Sequence, residues 1–274
     1  MLKYINKFLI FLFITFIIVI SLGPFLWVVI SSLKTNVEIM SGSFGMPKVL
    51  KLSNYATAFK LAPLTKFYLN SIIVAVSATI LNVSLFSMAA YVLARTTFKA
   101  KNIFRVMFSI GLLIPGASLL QPLYMTIKQT GMYDSLLTLI IVYVAFGLPT
   151  TVYIITSYFS TLPRELEESA YIDGAGFFTT FIKIIVPLAK PAFGTAAVLE
   201  FLLCWNEFQF ALTLTTGNKN RTIPLALYYF KSQFASDYGA MFAATVLVTI
   251  PSIIVYIILQ EQVVSGLTAG AVKG

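Results

Sequence analysis

The capacity of this chain for chemistry lies mainly in its carboxylates. It contains no histidine and a single cysteine, Cys204. Without imidazole it lacks the commonest general base at neutral pH and the commonest metal ligand, and one thiol cannot close an internal disulfide. No G-x-x-x-x-G-K-[ST] segment occurs, so this cradle for nucleotide phosphates is missing. The ten Asp and Glu residues include two groups that stand out. Glu165, Glu167, Glu168 and Asp173 crowd into one polar connection. Glu200 and Glu207 sit seven residues apart in an apolar stretch, a spacing that places both on one face of a continuous helix. Carboxylates in that second setting suit proton carriage, hydrogen bonds to a hydroxylated solute, or bonds between helices. No catalytic residue and no metal-ligating cluster is expected, and the chain is read as a non-enzyme.

The elements that position these residues are apolar and long. Of the 274 residues 58% are hydrophobic and only 11% are charged, less than half the charged share of an ordinary soluble domain at roughly 25%. The apolar residues fall in six blocks, at about 8–33, 67–94, 106–126, 136–159, 191–214 and 240–260. Each approaches the roughly 20 residues that cross a bilayer core as a helix. The first block is too long for the apolar part of a signal peptide and is read as a membrane helix bent near Gly23-Pro24. The expected fold is therefore all-α: one polytopic membrane domain over residues 1–274 with six transmembrane helices. The net charge of +9 fits basic residues flanking membrane helices, and no nucleic-acid partner is expected. Lys and Arg divide almost evenly between the two sides, but the dense run from Arg95 to Arg105 favours cytoplasmic termini.

The connection 160–190 is the most informative. Ser160 or Thr161 is suited to cap a helix, Pro163 suits its first turn, and Glu165, Glu167 and Glu168 complement the positive end of its dipole. Gly174 permits the left-handed turn that ends such a helix. Phe177, Phe178, Phe181, Ile182 and Ile185 then recur at near-helical spacing before Pro187 and Pro191. Two short helices outside the bilayer would form a knob. A hairpin lying on anionic lipid should be basic, whereas this one carries four acids against Arg164. A protein cleft is the better match.

The segment Glu168-Ser169-Ala170-x-x-Asp173-Gly174-Ala175, followed by Phe181 and Pro187, resembles the EAA loop of binding-protein-dependent ABC importer permeases, with Ser169 where alanine is usual. Asn70-Ser71, Ala89-Ala90-Tyr91-x-Leu93-Ala94-Arg95, Pro122-Leu123-Tyr124, Trp205-Asn206-Glu207 and the ending Gly266-Leu267-Thr268-Ala269-Gly270-Ala271 extend the likeness over nearly the whole chain. The ending is similar to the second permease subunit of the maltose-type carbohydrate branch. The resemblance implies a multi-pass protein of the bacterial plasma membrane, with the loop and both termini in the cytoplasm. It implies a heterodimer with a sister permease, an ATPase dimer that holds ATP and Mg, and an extracytoplasmic solute-binding protein that delivers a sugar; this chain itself binds no cofactor. The residues so assigned to ATPase coupling are Glu167, Glu168, Ser169, Ala170, Asp173, Gly174, Ala175, Phe177, Phe178 and Phe181. Residues Gly266 to Gly270 would contact the ATPase from the tail, which composition alone reads as disordered.

Glu200, Trp205, Asn206, Glu207 and Gln209 are the candidates for a sugar-lined pore, with bonding between helices as the plain alternative. Asn70, Asn82 and Gln121 are read as contacts between helices. A proton-coupled carrier using Glu200 and Glu207 is the competing function.

Overall fold

The computed structural model describes residues 2–42, 44–228 and 237–271, with side chains described within 6–261. Every regular element among them is helical. The chain forms two compact units, one of residues 1–65 with 226–250 and the other of 66–225 with 251–274.

In the first unit, α1 (Leu2–Ser32) runs unbroken through Pro24. None of its most apolar window is buried within the chain, as suits a helix whose solvent is lipid. The short helix α2 (Asn36–Met40) starts on a reciprocal capping box, in which Thr35 accepts from the Glu38 amide while Glu38 accepts from the Thr35 amide. The other Glu38 carboxylate oxygen accepts from the Lys48 amide at 2.8 Å. These backbone donors hold its carboxyl below the usual carboxylate range, the Thr35 amide contributing most. The next helix is α3 (Ser53–Leu61). It is anchored, because buried Asn54 donates to the carbonyls of Ser32 and Lys34 at 2.8 and 2.9 Å. Gly239 at the start of the last helix lies so close that a Cβ would meet Asn54 Nδ2 at 2.6 Å.

The second unit holds α4 (Leu64–Arg95, from Lys66), α5 (Lys101–Gly111), α6 (Leu120–Gln129) and α7 (Leu136–Phe159). After them come α8 (Glu165–Ile172), α9 (Phe177–Leu188, with a π-helical centre at Phe181–Ile185), α10 (Lys190–Asn206) and α11 (Gln209–Leu214). The last helix, α12 (Tyr238–Ala271), is continuous and contributes residues to both units. Tyr91, Ile155, Phe159, Phe181 and Ile185 form one core cluster, joining α4, α7 and α9.

Among the described residues, four helices are long and apolar enough to cross a membrane alone, or up to six if each of two bent pairs counts as one span. The third span, expected over 106–126, consists of two arms. Residues Lys101–Gly111 and Gly116–Gln129 meet at 96°. The first arm ends at Gly111, whose carbonyl Pro115, having no amide hydrogen, cannot bond, and Pro115 itself is extended at φ −69°, ψ 123°. The fifth span, expected as continuous over 191–214, ends at Asn206; Glu207 is extended and α11 begins anew at Gln209. The sixth, expected over 240–260, falls on the apolar stretch Tyr238–Glu261, and its helix continues to Ala271. That places the backbone of Gly266 to Gly270 in α12, while their side chains lie outside the described residues, as do residues 272–274 altogether.

Candidate functional site

The knob is built as its sequence grammar suggests at one end and differently at the other. Gly174, at φ +83°, closes α8 in a Schellman motif: its amide bonds the Tyr171 carbonyl, and the Ala175 amide bonds the Ala170 carbonyl at 2.9 Å. No atom lies within 4 Å of where a Cβ would stand, so backbone conformation rather than space is what calls for glycine there. At the other end Ser160 and Thr161 do not cap α8. Their hydroxyls turn back onto the Thr156 and Tyr158 carbonyls and finish α7 instead, while Arg164 precedes α8 with no side-chain cap.

The knob has two faces. Its inward face carries Glu167, Ala170, Thr180, Phe181 and Ile185, all buried. Phe181 meets the Tyr91 ring at 4.9 Å and the Phe159 ring at 6.4 Å. Arg95, at the end of α4, places Nε 3.2 Å from Glu167 Oε2, and its Nη2 donates to the Leu162 carbonyl at 2.8 Å. Arg95 Nε and Glu167 Oε1 make no aligned hydrogen bond, so the pair is held by charge. Three residues assigned to partner docking, Glu167, Ala170 and Phe181, are thus turned into their own chain. Glu167 and Phe181 position the knob through Arg95 and Tyr91. Arg95 had no local signal linking it to Glu167.

The outward face retains Glu168, Ser169, Asp173, Gly174 and Phe178, with Ala175 half-buried, while Phe177 is partly exposed but sets its ring 4.9 Å from Tyr91. Ile172 is its most exposed apolar side chain, at 86%. Its sequence context does not mark it for coupling, since isoleucine near the end of an amphipathic helix reads as core.

Deeper in the same unit lies a polar seam. Asn82 on α4 is fully buried; its amide donates to the Val144 carbonyl, a turn before Pro149, and its oxygen accepts from Thr151 at 2.5 Å. This is the contact between helices expected of Asn82. Asn70 instead reaches a loop, donating to the carbonyls of Lys219 and Arg221. Glu200 on α10 is 3% exposed and accepts from Cys204 Sγ at 3.5 Å. It packs against Gly147 so closely that a Cβ there would overlap the Glu200 carboxylate and reach Asn82 Nδ2.

Glu207 does not share a helical face with Glu200, because the chain leaves the helix before it. Its carboxylate opens α11 instead, accepting from the amides of Phe210 and Ala211 at 2.7 and 2.9 Å and from the Tyr143 hydroxyl at 2.7 Å. Trp205 is buried and stacks on Phe201 at 5.6 Å. Asn206 and Gln209 are exposed; the Asn206 oxygen accepts from Ser252 at 3.3 Å and its amide donates to the Leu202 carbonyl. The five pore candidates are therefore divided between interior and surface.

Residues 86–268 match the family described as binding-protein-dependent transport system inner membrane component. The chain is 38% identical to the trehalose/maltose transport system permease protein MalG of Thermococcus litoralis, over 93% of each chain. It is 36% identical to the trehalose transport system permease protein SugB of Mycobacterium tuberculosis, over 95% of each. Among solved structures it is similar to a chain of a bacterial ABC transporter involved in the import of the acidic polysaccharide alginate. The TM-score is 0.81 at 22% identity, over 94% of this chain and 96% of the other, a likeness of fold. With more than half its length inside the matched region, the chain belongs to the binding-protein-dependent transport system inner membrane components, in their maltose-type branch.

Proposed function

We propose that this chain is a permease subunit of an ATP-driven carbohydrate importer in a bacterial plasma membrane. It forms half of the translocation pore with a sister permease and crosses the membrane six times, with both termini in the cytoplasm. An ATPase dimer supplies the energy, and an extracytoplasmic solute-binding protein delivers the sugar. The observation that carries the reading is the two-faced knob: an inner side fixed by charge and aromatic packing, and an outer side offering Glu168, Ile172 and Phe178. A lever needs such a division, because force applied outside must reach the spans without being lost in a soft joint. Arg95 gives the push a route from α8 to the end of α4. The tail from Gly266 to Gly270 is assigned a second contact with the ATPase.

The competing proton carrier would use Glu200 and Glu207, and Glu207 is occupied with the start of α11. The test is sugar uptake by cells whose proton gradient has been dissipated while cytoplasmic ATP is maintained. Uptake that continues, and is lost in Gly174→Val with the complex still assembled, supports the importer. Uptake that stops with the gradient overturns it.

A further inference from the structure

Two cavities adjoin where α4 ends and α5 begins, and both are lined by Leu93 and Phe108. One, of about 460 Å³, is almost wholly apolar, with Phe98, Phe104 and Phe177 among its walls. The other, of about 290 Å³, sets Arg105, Ser109, Thr156 and Ser157 among the apolar walls of Leu112, Pro149 and Val152. The Thr156 hydroxyl is buried without a hydrogen-bond partner. An oily chamber beside a chamber of hydroxyls and a cation has the two-part chemistry of a lipid.

The charge around the polar chamber points the same way. Lys101, Arg105 and Arg164 form no ion pair with a carboxylate among the described residues. Lys101 feels repulsion from both Arg105 and Arg164. Arg105 spends one donor on the Leu93 carbonyl and Lys101 one on the Thr96 carbonyl, leaving most of their donors available. Uncompensated cations gathered at one point repel one another, and an anion seated among them removes that cost. The level is also appropriate. Arg95 reaches the Leu162 carbonyl, so α4 and α7 end together, and α5 starts beside them. Helix ends of a membrane protein meet lipid headgroups at that depth.

The geometry points to a binding site for one anionic phospholipid, its phosphate beside Arg105 and the hydroxyls within the field of Lys101, and one acyl chain in the aromatic chamber. This reading needs only that the chain spans a membrane, and it stands apart from the identity of the sugar. The experiment is native mass spectrometry of the purified complex titrated with phosphatidylglycerol or phosphatidylcholine. One phosphatidylglycerol should be retained per copy, while phosphatidylcholine is released. Arg105→Gln and the surface change Arg164→Gln should each weaken retention about five-fold, Arg105→Lys should recover most of it, and Phe104→Asp should abolish it with every cation in place. Arg164→Gln keeps the test decisive if Arg105→Gln fails to fold. Equal retention of both lipids, displacement of phosphatidylglycerol by inorganic phosphate alone, or a cysteine at Phe104 that crosslinks only to a neighbouring subunit would each overturn the site.

Discussion

Glu167 in the knob and Glu200 in the seam are almost equally withdrawn from the surface, at 6% and 3% exposure, yet their surroundings differ in kind. Glu167 faces a guanidinium across 3.2 Å. Glu200 faces a thiol and a glycine, and no cation pairs with it among the described residues. The first arrangement holds a charge by a matching charge and so fastens two pieces of chain at a fixed distance. The second uses absence of bulk at Gly147 to let α7 and α10 come together around a polar group. The knob is fixed by attraction, the seam by fit. Removing a partner should therefore injure the first most, and adding an atom should injure the second most.

The largest effect expected is in the knob. Arg95→Ala leaves a carboxylate buried with no counter-charge and should cost about 3–5 kcal/mol, read as a fall in the thermal midpoint of the purified complex. Replacing Arg95 and Glu167 together by methionine should recover most of that loss. If the double variant is as unstable as the single one, the ion pair is not what fastens the knob.

Next comes a contrast across the knob itself. Phe181→Ala empties a site between Tyr91 and Phe159 and should cost about 3–5 kcal/mol. Ile172→Ala, on the outer face, should change stability by less than about 0.5 kcal/mol while depressing sugar uptake per ATP hydrolysed. Equal thermal losses would erase the distinction between the faces.

In the seam, Gly147→Val drives a side chain into Glu200 and Asn82 and should destabilise by about 1–3 kcal/mol. Pairing it with Glu200→Ala, which makes room, should lessen the damage, as measured by a double-mutant thermal cycle.

The smallest effect belongs to Glu38, in the other unit. Its folded carboxyl titrates below the usual range because the Thr35 and Lys48 amides favour the anion. A carboxyl lowered in this way adds stability above its unfolded pKa and loses it as pH falls through the folded value. The Lys48 amide resonance should therefore move in an acid step centred below ordinary carboxylates, and Glu38→Gln should remove that step.

What the sequence made legible follows from how local each signal is. Gly174 and the acidic first turn of α8 mark the knob because a helix end is set by a few neighbouring residues. The apolar blocks mark helices because bilayer length and hydropathy act over one continuous segment. The break at Glu207 carries no glycine or proline, so nothing in the block announced it; it takes shape through Tyr143 and the start of α11. Pro115 was visible, but a membrane helix can absorb a proline, and only the packed chain distinguishes a tolerated kink from a 96° corner. The pairing of Arg95 with Glu167 joins separate helices and left no trace in spacing.

The most direct test places a photo-crosslinking residue at Glu168, on the outer face, in the assembled complex. The account predicts one dominant adduct, to the ATP-hydrolysing subunit, strengthened or weakened by nucleotide. Adducts to lipid alone, or reaction only with reagents confined to the outside of the cell, would contradict it.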